Sequence, residues 1–279
     1  MKTSRREFLT LSGAGLLATS LPGVSAMASP PVSNMSKFSF DLGIASYTFR
    51  KFSLEDTLSM TKRLGISRIA FKSFHLPLDA SDELIASTVA KCEEAGIKLY
   101  GGGVIYMKNK EEVDNAFEYA RKAKMKIIIG VPEHDLLSYT EKKVKEYGIK
   151  LAIHNHGPGD ERYPSAESAY KLIKDMDPGM GLCIDIGHTK RINRDPEQDL
   201  VDYFDRVFDM HIKDVTAASK EGSTCEIGRG VIDIPSFLRA VIKKKYSGTL
   251  AFEYEKDASD PFPGLCESVG YVRGVLATL

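Results

Sequence analysis

The sequence predicts a single α/β chain closed as a (β/α)8 barrel. From residue 39 onward, short apolar β-branched runs alternate with longer charged, amphipathic stretches. The alternation occurs eight times without a composition break. All six histidines fall at or just past the ends of the apolar runs. Eight strand–helix units demand a parallel sheet with crossover helices, and eight is the number that closes on itself. A doubly wound open sheet is the alternative, but it would usually need fewer strands or a second domain.

Taken in order, the strands are expected at 40–48, 67–74, 98–105, 126–131, 150–155, 181–187, 207–214 and 249–255. The helices are expected at 54–64, 81–95, 110–124, 137–148, 165–176, 196–205, 235–245 and 265–278. Ser53, Ser81 and Ser165 stand where helix N-caps belong, because a serine oxygen can accept an otherwise orphaned amide of the first turn. Gly65 and Gly96 stand where helices should stop. The run Gly101–Val104 lacks the spacing of a dinucleotide-binding loop and is expected to give close backbone approach or a bulge.

The first residues are set apart from the barrel. Arg5 and Arg6 precede a short apolar run, and Ala26-Met27-Ala28 fits a cleavage site. This resembles a twin-arginine export signal over residues 1–28, which implies a periplasmic destination. The apolar run is too short for a bilayer, which takes about 20 apolar residues, so no stable membrane insertion is expected. Residues 29–38 are Pro- and Ser-rich and read as a linker, leaving 39–279 as the catalytic domain. Without residues 1–28, 35 basic residues face 37 acidic ones, a net charge of −2. Such a chain has no basic excess to hold a phosphate backbone, which argues against nucleic acid as partner. Cys92, Cys183, Cys225 and Cys266 are scattered with no C-x-x-C, so no disulfide can be read from their spacing.

In such a barrel the active site lies at the carboxyl ends of the strands. Polar residues at those ends are Lys72 and His75 after strand 2, Glu133 and His134 after strand 4, and His154 and His156 on strand 5. Asp185 and His188 follow on strand 6, His211, Lys213 and Asp214 on strand 7, and Glu253 and Glu255 on strand 8. Residues two apart on a strand share a face, so His154 and His156 point one way, as do His211 and Lys213. Asp185 ends an otherwise apolar strand, where a lone carboxylate is costly unless paired or bound to metal. Asp185, His211 and Glu253 are therefore expected to bind a divalent cation through nitrogen and oxygen. Lys72 and Lys213 are candidates for substrate contact, as is Arg229, held between Gly228 and Gly230. No nucleophilic-serine elbow, P-loop or zincin motif is present in the mature chain.

The pieces "CIDIGH", "DMHIKD", "GRGVID" and "LAFEYE", in this order and spacing, resemble the xylose-isomerase-like TIM barrels known as sugar phosphate isomerases/epimerases. The resemblance covers residues 40–279. It implies four metal ligands: Glu on strand 5, Asp on strand 6, His on strand 7 and Glu on strand 8. The last three map to Asp185, His211 and Glu253. It also implies substrate contact by His188 and Arg229. The departure lies in "AIHNH", where His154 stands at the place of the strand-5 Glu. An imidazole there would shift preference toward Mn2+, Zn2+ or Co2+ over Mg2+. Family epimerases resemble two-base enzymes, so losing that Glu breaks the symmetric carboxylate pair.

The expected function is metal-dependent proton abstraction next to a carbonyl, as in a sugar isomerase or epimerase. Candidate catalytic groups are His154, Glu253, Glu255, His188 and Lys213, with Arg229, His156, Lys72 and His75 as substrate contacts. His154 serves as ligand or base, and either Glu253 or Glu255 takes the metal. The expected partner is a non-phosphorylated sugar or glycoside, since phosphorylated sugars are scarce outside the cytoplasm; an oligomer is compatible with the sequence. One alternative is a 3-keto-glycoside lyase that eliminates the aglycone at the same site. Another is a non-catalytic, metal-containing sugar-binding barrel. Abasic-site endonuclease chemistry would need more zinc ligands and a basic groove, which the net charge opposes.

Overall fold

Eight apolar runs become the strands of one closed parallel barrel in the computed structural model, which describes residues 37–279. The expected export signal and all but the last two residues of the expected linker lie outside the described residues. The strands are β1 (Asp41–Ala45), β2 (Arg68–Phe71), β3 (Lys98–Met107), β4 (Ile127–Pro132), β5 (Lys150–His154), β6 (Met180–Asp185), β7 (Val207–Ile212) and β8 (Thr249–Phe252). Each pairs in parallel with its sequence neighbours, and β1 pairs β8 to close the ring. Both faces of these strands are covered, the inner by the lumen and the outer by helices, so their sequences are continuously apolar rather than alternating. Ile128 and Ile129 of β4 have no solvent exposure. Burying each such side chain contributes about 1.5–3 kcal/mol.

The helices are α1 (Leu54–Arg63), α2 (Asp82–Glu94), α3 (Lys110–Lys122), α4 (Leu137–Tyr147), α5 (Ala166–Ile173), α6 (Ile186–Arg191), α7 (Pro196–Asp202), α8 (Ile234–Lys243) and α9 (Phe262–Thr278). The three serines named as caps act as such: Ser53 accepts from the Asp56 amide, Ser81 from Leu84 and Ser165 from Ser168. Asn109 caps α3 and Asp233 caps α8 in the same way. The Gly-rich run in β3 does give close approach and a bulge. Gly103 has φ +157, a Cβ there would overlap the Ile129 carbonyl oxygen, and the β3–β4 register shifts between Gly103 and Ile105.

Six strands (β1, β2, β5, β6, β7 and β8) end one to three residues earlier than their sequence suggests, and two of these ends shape the site. β6 stops at Asp185, not Gly187, because the Asp185 side chain accepts the His188 amide at 2.8 Å and starts α6. β8 stops at Phe252, not Glu255: the Tyr254 amide is taken by the Thr48 hydroxyl at 2.9 Å instead of a strand neighbour. Beyond β7, Asp214–Val215 and Thr224–Cys225 form a small antiparallel pair beside the barrel mouth. Among the described residues no helix is long and apolar enough to cross a membrane.

Register sets the height of the site. His154 is level with Cys183, Asp185 with His211, and His211 with Ala251. The ends of β5, β6, β7 and β8 therefore reach the same layer, and a one-residue slip would turn any of these side chains to the helical face.

Candidate active site

Four residues from four consecutive strands meet at the carboxyl end of the barrel. His154, Asp185, His211 and Glu253 are all buried, and each offers one ligand atom within 4.8 Å of the other three. His154 Nε2 lies 3.1 Å from His211 Nδ1 and 3.4 Å from Asp185 Oδ2. His211 Nδ1 lies 3.2 Å from Glu253 Oε2 and 4.0 Å from Asp185 Oδ2. Tetrahedral ligands at ordinary zinc bond lengths would sit roughly 3.3–3.6 Å apart. The spacing fits that requirement, and Asp185 Oδ2 is buried with no aligned hydrogen bond. An N/O donor set of this composition suits Zn2+, Mn2+ or Co2+.

The local chain explains why each group points inward. Asp185 divides its carboxylate: Oδ1 caps α6 and Oδ2 faces the cluster. Asn155 fixes the strand end by accepting the Asp185 amide at 2.9 Å. Glu253 rides on the last β-type bond of the strand, its amide donating to the Ile212 carbonyl at 3.2 Å.

Lys213 adds a charge to the cluster. Its Nζ lies 2.9 Å from Asp185 Oδ2, 2.6 Å from Glu253 Oε2, and also pairs with Glu255. Burial opposes the charge on Asp185 and Glu253, but the Lys213 ammonium outweighs it and holds both carboxyls well below the usual range. The same carboxylates overcome burial for Lys213 and hold its ammonium well above the usual lysine range. Burial pushes His154 down to about 3, leaving a neutral imidazole fit to donate a lone pair. For His211 burial also pulls down, but the Glu253 carboxylate prevails and its pKa is raised.

A cleft of about 280 Å3 opens above the cluster, lined by Lys72, Tyr106, His156, His188, Glu253 and Glu255 among others. Glu253 belongs to the buried quartet, whereas Glu255 is outside it, with its side chain 30% exposed. Lys72 donates to the Val104 carbonyl, and burial lowers its pKa. His156 is likewise lowered by burial, as is His188. A neighbouring hollow shares His188 and Glu255 and reaches Arg191 and Lys256.

Two expected substrate contacts lie elsewhere. Arg229 is on the surface, paired through Nη2 with Glu267 at 2.7 Å, and it does not line the cleft. The tight turn does form, but Asp214 accepts the Gly228 and Gly230 amides at 3.0 Å each, and the Arg side chain turns toward α9. His75 is buried beside the barrel, its ring nitrogens 3.0 Å from the Thr57 hydroxyl and 2.9 Å from the Ser46 hydroxyl. Burial lowers its pKa, and it ties α1 to the end of β1. His134 bonds the Arg162 carbonyl at 2.9 Å and braces the loop after β5.

Three residues of the site region were not evident in the sequence. Tyr106 ends a strand longer than expected and lines the cleft. Asp160 lies 3.0 Å from His156 Nδ1. Asp209 lies one layer below the quartet, 3.9 Å from His211 Nε2, where Tyr100 reaches across the lumen to donate to it at 3.3 Å. Position 209 shares a face with His211, so the two-residue spacing was the available signal.

Comparison with known proteins agrees with this architecture. The family model for the xylose isomerase-like TIM barrel matches residues 135–273, the stretch that carries all four cluster residues. The matched stretch, just under half of the chain, is similar to the xylose isomerase-like TIM barrels. A solved structure of an uncharacterised protein from Parabacteroides distasonis is 29% identical, with TM-score 0.68 over 85% of this chain and 99% of that one. With the same fold, 3-keto-D-glucoside 4-epimerase from E. coli has TM-score 0.68 at 14% identity, covering 84% of this chain and 99% of that one. Inosose dehydratase from Salmonella typhimurium is 29% identical over 130 residues, 40% of this chain and 42% of that one. The chain spans less than half the length of the curated relatives it matches.

Proposed function

We propose that this protein is a metal-dependent enzyme that removes a proton next to a carbonyl on a non-phosphorylated sugar or sugar derivative, as an isomerase or epimerase. The buried His154–Asp185–His211–Glu253 quartet, open to one cleft with Glu255 and Lys213 beside it, carries the reading. A divalent cation held by the quartet would supply Lewis-acid polarisation of the carbonyl oxygen. The protein's own groups do the rest. Glu255, outside the quartet and facing the cleft, takes the α-proton. The Lys213 ammonium stabilises negative charge developing on the sugar oxygens. His188 and Lys72 line the wall and orient hydroxyls. Return of the proton to the neighbouring carbon gives isomerisation, and delivery of a proton to the opposite face by a second acid, for which His156 lines the same cleft, gives epimerisation.

A second reading is elimination from a 3-keto-glycoside, in which the C2 proton and the C1 aglycone leave. His154 in place of a strand-5 carboxylate favours it, because a one-sided base suffices for elimination. The matched stretch of inosose dehydratase also supports it. Export to the periplasm by the twin-arginine route belongs to the same reading, and cell fractionation of the tagged full-length protein tests it.

The deciding experiment incubates the metal-loaded protein with free sugars and 3-keto-glycosides in D2O. Deuterium at an α-carbon is expected, and the product distinguishes rearrangement from loss of aglycone. Binding of sugars without exchange or product from any of them would instead support a non-catalytic sugar-binding barrel.

A further inference from the structure

Tyr106 stands at the end of β3 on the wall of the cleft, 41% exposed. Its hydroxyl is 3.0 Å from His156 Nε2, and the two rings stack with centroids 5.6 Å apart and planes 28° from parallel. The other nitrogen of His156 lies 3.0 Å from Asp160 Oδ2, close enough for charge to act although not in hydrogen-bond alignment. Asp160 cannot swing freely. Its Oδ1 accepts the backbone amides of Arg162 at 2.7 Å and Tyr163 at 3.3 Å. The loop that carries these residues is fastened to the end of β4: Tyr163 donates its hydroxyl to the Pro132 carbonyl at 2.7 Å, and Arg162 pairs with Glu133 at 2.7 Å. The His156 amide donates to the Tyr163 carbonyl at 3.1 Å, closing the loop on itself.

The sense of the Tyr106–His156 bond follows from which His156 nitrogen carries the proton. A carboxylate beside Nδ1 draws the single imidazole proton to that nitrogen and leaves Nε2 as an acceptor. The Tyr106 hydrogen is then committed to His156, and the phenol oxygen keeps lone pairs for a donor in the cleft. The nearby Lys72 ammonium lies over the Tyr106 ring, 5.5 Å from its centroid, and already donates to the Val104 carbonyl.

We propose that Tyr106 is a specificity-determining residue: its oxygen, held as an acceptor by His156 and Asp160, takes a hydrogen bond from one hydroxyl of the sugar whose carbonyl end lies at the buried quartet. The inference rests on the sugar reading above and adds a selection rule to it. A site built around such a bond rejects the analogue lacking that hydroxyl, because the acceptor is then left without its donor. Asp160 and His156 are positioning residues in this scheme.

Titration calorimetry on the metal-loaded full chain tests it, with a methyl 3-keto-glucoside and its 2-, 4- and 6-deoxy analogues as probes. Y106F should weaken the parent sugar about tenfold, the equivalent of one neutral hydrogen bond. One deoxy analogue should bind wild type about tenfold more weakly and lose nothing further in Y106F, closing a double-mutant cycle. D160N should reproduce part of the loss in the wild-type background and none in Y106F. Tyr106 is at the surface, so Y106F should fold as wild type does. Equal affinity of Y106F and wild type for the parent, or the same fold loss for the parent and all three deoxy analogues, would overturn the inference while leaving the sugar reading standing. Failure of wild type to bind any of these probes or the free sugars would bring down both.

Discussion

His154 Nε2 and His211 Nδ1 face each other 3.1 Å apart in the buried layer at the top of the barrel. Burial holds His154 near a pKa of about 3, so its neutral ring carries a single N–H, and without a cation the close approach is a hydrogen bond between the two rings. A cation held by both nitrogens and the carboxylates takes the place of that shared proton, and it binds the folded chain because only folding gathers the four groups. Added Zn2+, Mn2+ or Co2+ should therefore stabilise the folded chain, by about 2.7 kcal/mol at a hundred times the dissociation constant. Thermal melts with and without chelator read this directly. D185A should remove the metal-induced shift and the calorimetric binding signal. Full occupancy in D185A would mean the ligands are elsewhere.

Lys213 sits on the two carboxylate oxygens, Asp185 Oδ2 and Glu253 Oε2, that face the histidines. Its ammonium therefore offsets their charge in the metal-free protein and competes with a divalent ion for the same atoms. K213M should destabilise the metal-free chain by about 3–5 kcal/mol, because it leaves buried carboxylates unpaired. It should also tighten cation binding. Denaturant melts of the metal-free variant and calorimetry of its metal uptake separate the two effects. Weaker metal binding in K213M would show that Lys213 supports the site instead of competing for it.

His154 replaces the carboxylate that the strand-5 position carries in the family it resembles. Oxygen donors suit Mg2+ and imidazole suits Zn2+ and Co2+. H154E should therefore raise the affinity for Mg2+ relative to Zn2+, measured by competition titration. It should also return a second carboxylate to the cleft, so wash-in of solvent deuterium should rise if inversion is the native outcome. No change in the metal ratio would place His154 outside the coordination sphere.

The barrel was legible because its signals are local and repeated: eight apolar runs, three serine caps and a glycine-rich bulge each announce themselves within a few residues. The quartet was legible because strand periodicity puts Asp185, His211 and Glu253 at strand ends with no apolar reason to be there. What could not be read was the direction of side chains carried by turns. Arg229 follows a predictable glycine turn, yet whether it reaches the cleft or Glu267 depends on where α9 packs. Tyr106 and Asp160 meet His156 only because β3 runs past its expected end and the loop after β5 folds back on β4.

Arg229 therefore yields its own prediction. Its pair with Glu267 is exposed on both sides, and such pairs contribute about 0–1 kcal/mol. R229A should leave sugar turnover and metal uptake unchanged. A drop in turnover of tenfold or more would return Arg229 to the substrate.

Asp209 gives the pH dependence. Burial raises its carboxyl from the ordinary aspartate value of about 3.9 to about 7. Between those values the native protein keeps a proton that the unfolded chain has lost. Native protein then binds more protons, so this group's contribution to stability falls as pH rises across the window. The loss grows by about 1.4 kcal/mol per pH unit at most. Asn keeps the shape and an acceptor for the Tyr100 hydroxyl without a charge to bury. In metal-free protein D209N should therefore match wild type near pH 4 and exceed it by a few kcal/mol at pH 8, measured by urea midpoints. A D209N advantage of the same size at both pH values, or none at pH 8, would mean that Asp209 is ionised in the folded chain and already stabilised by His211, whose Nε2 lies 3.9 Å away.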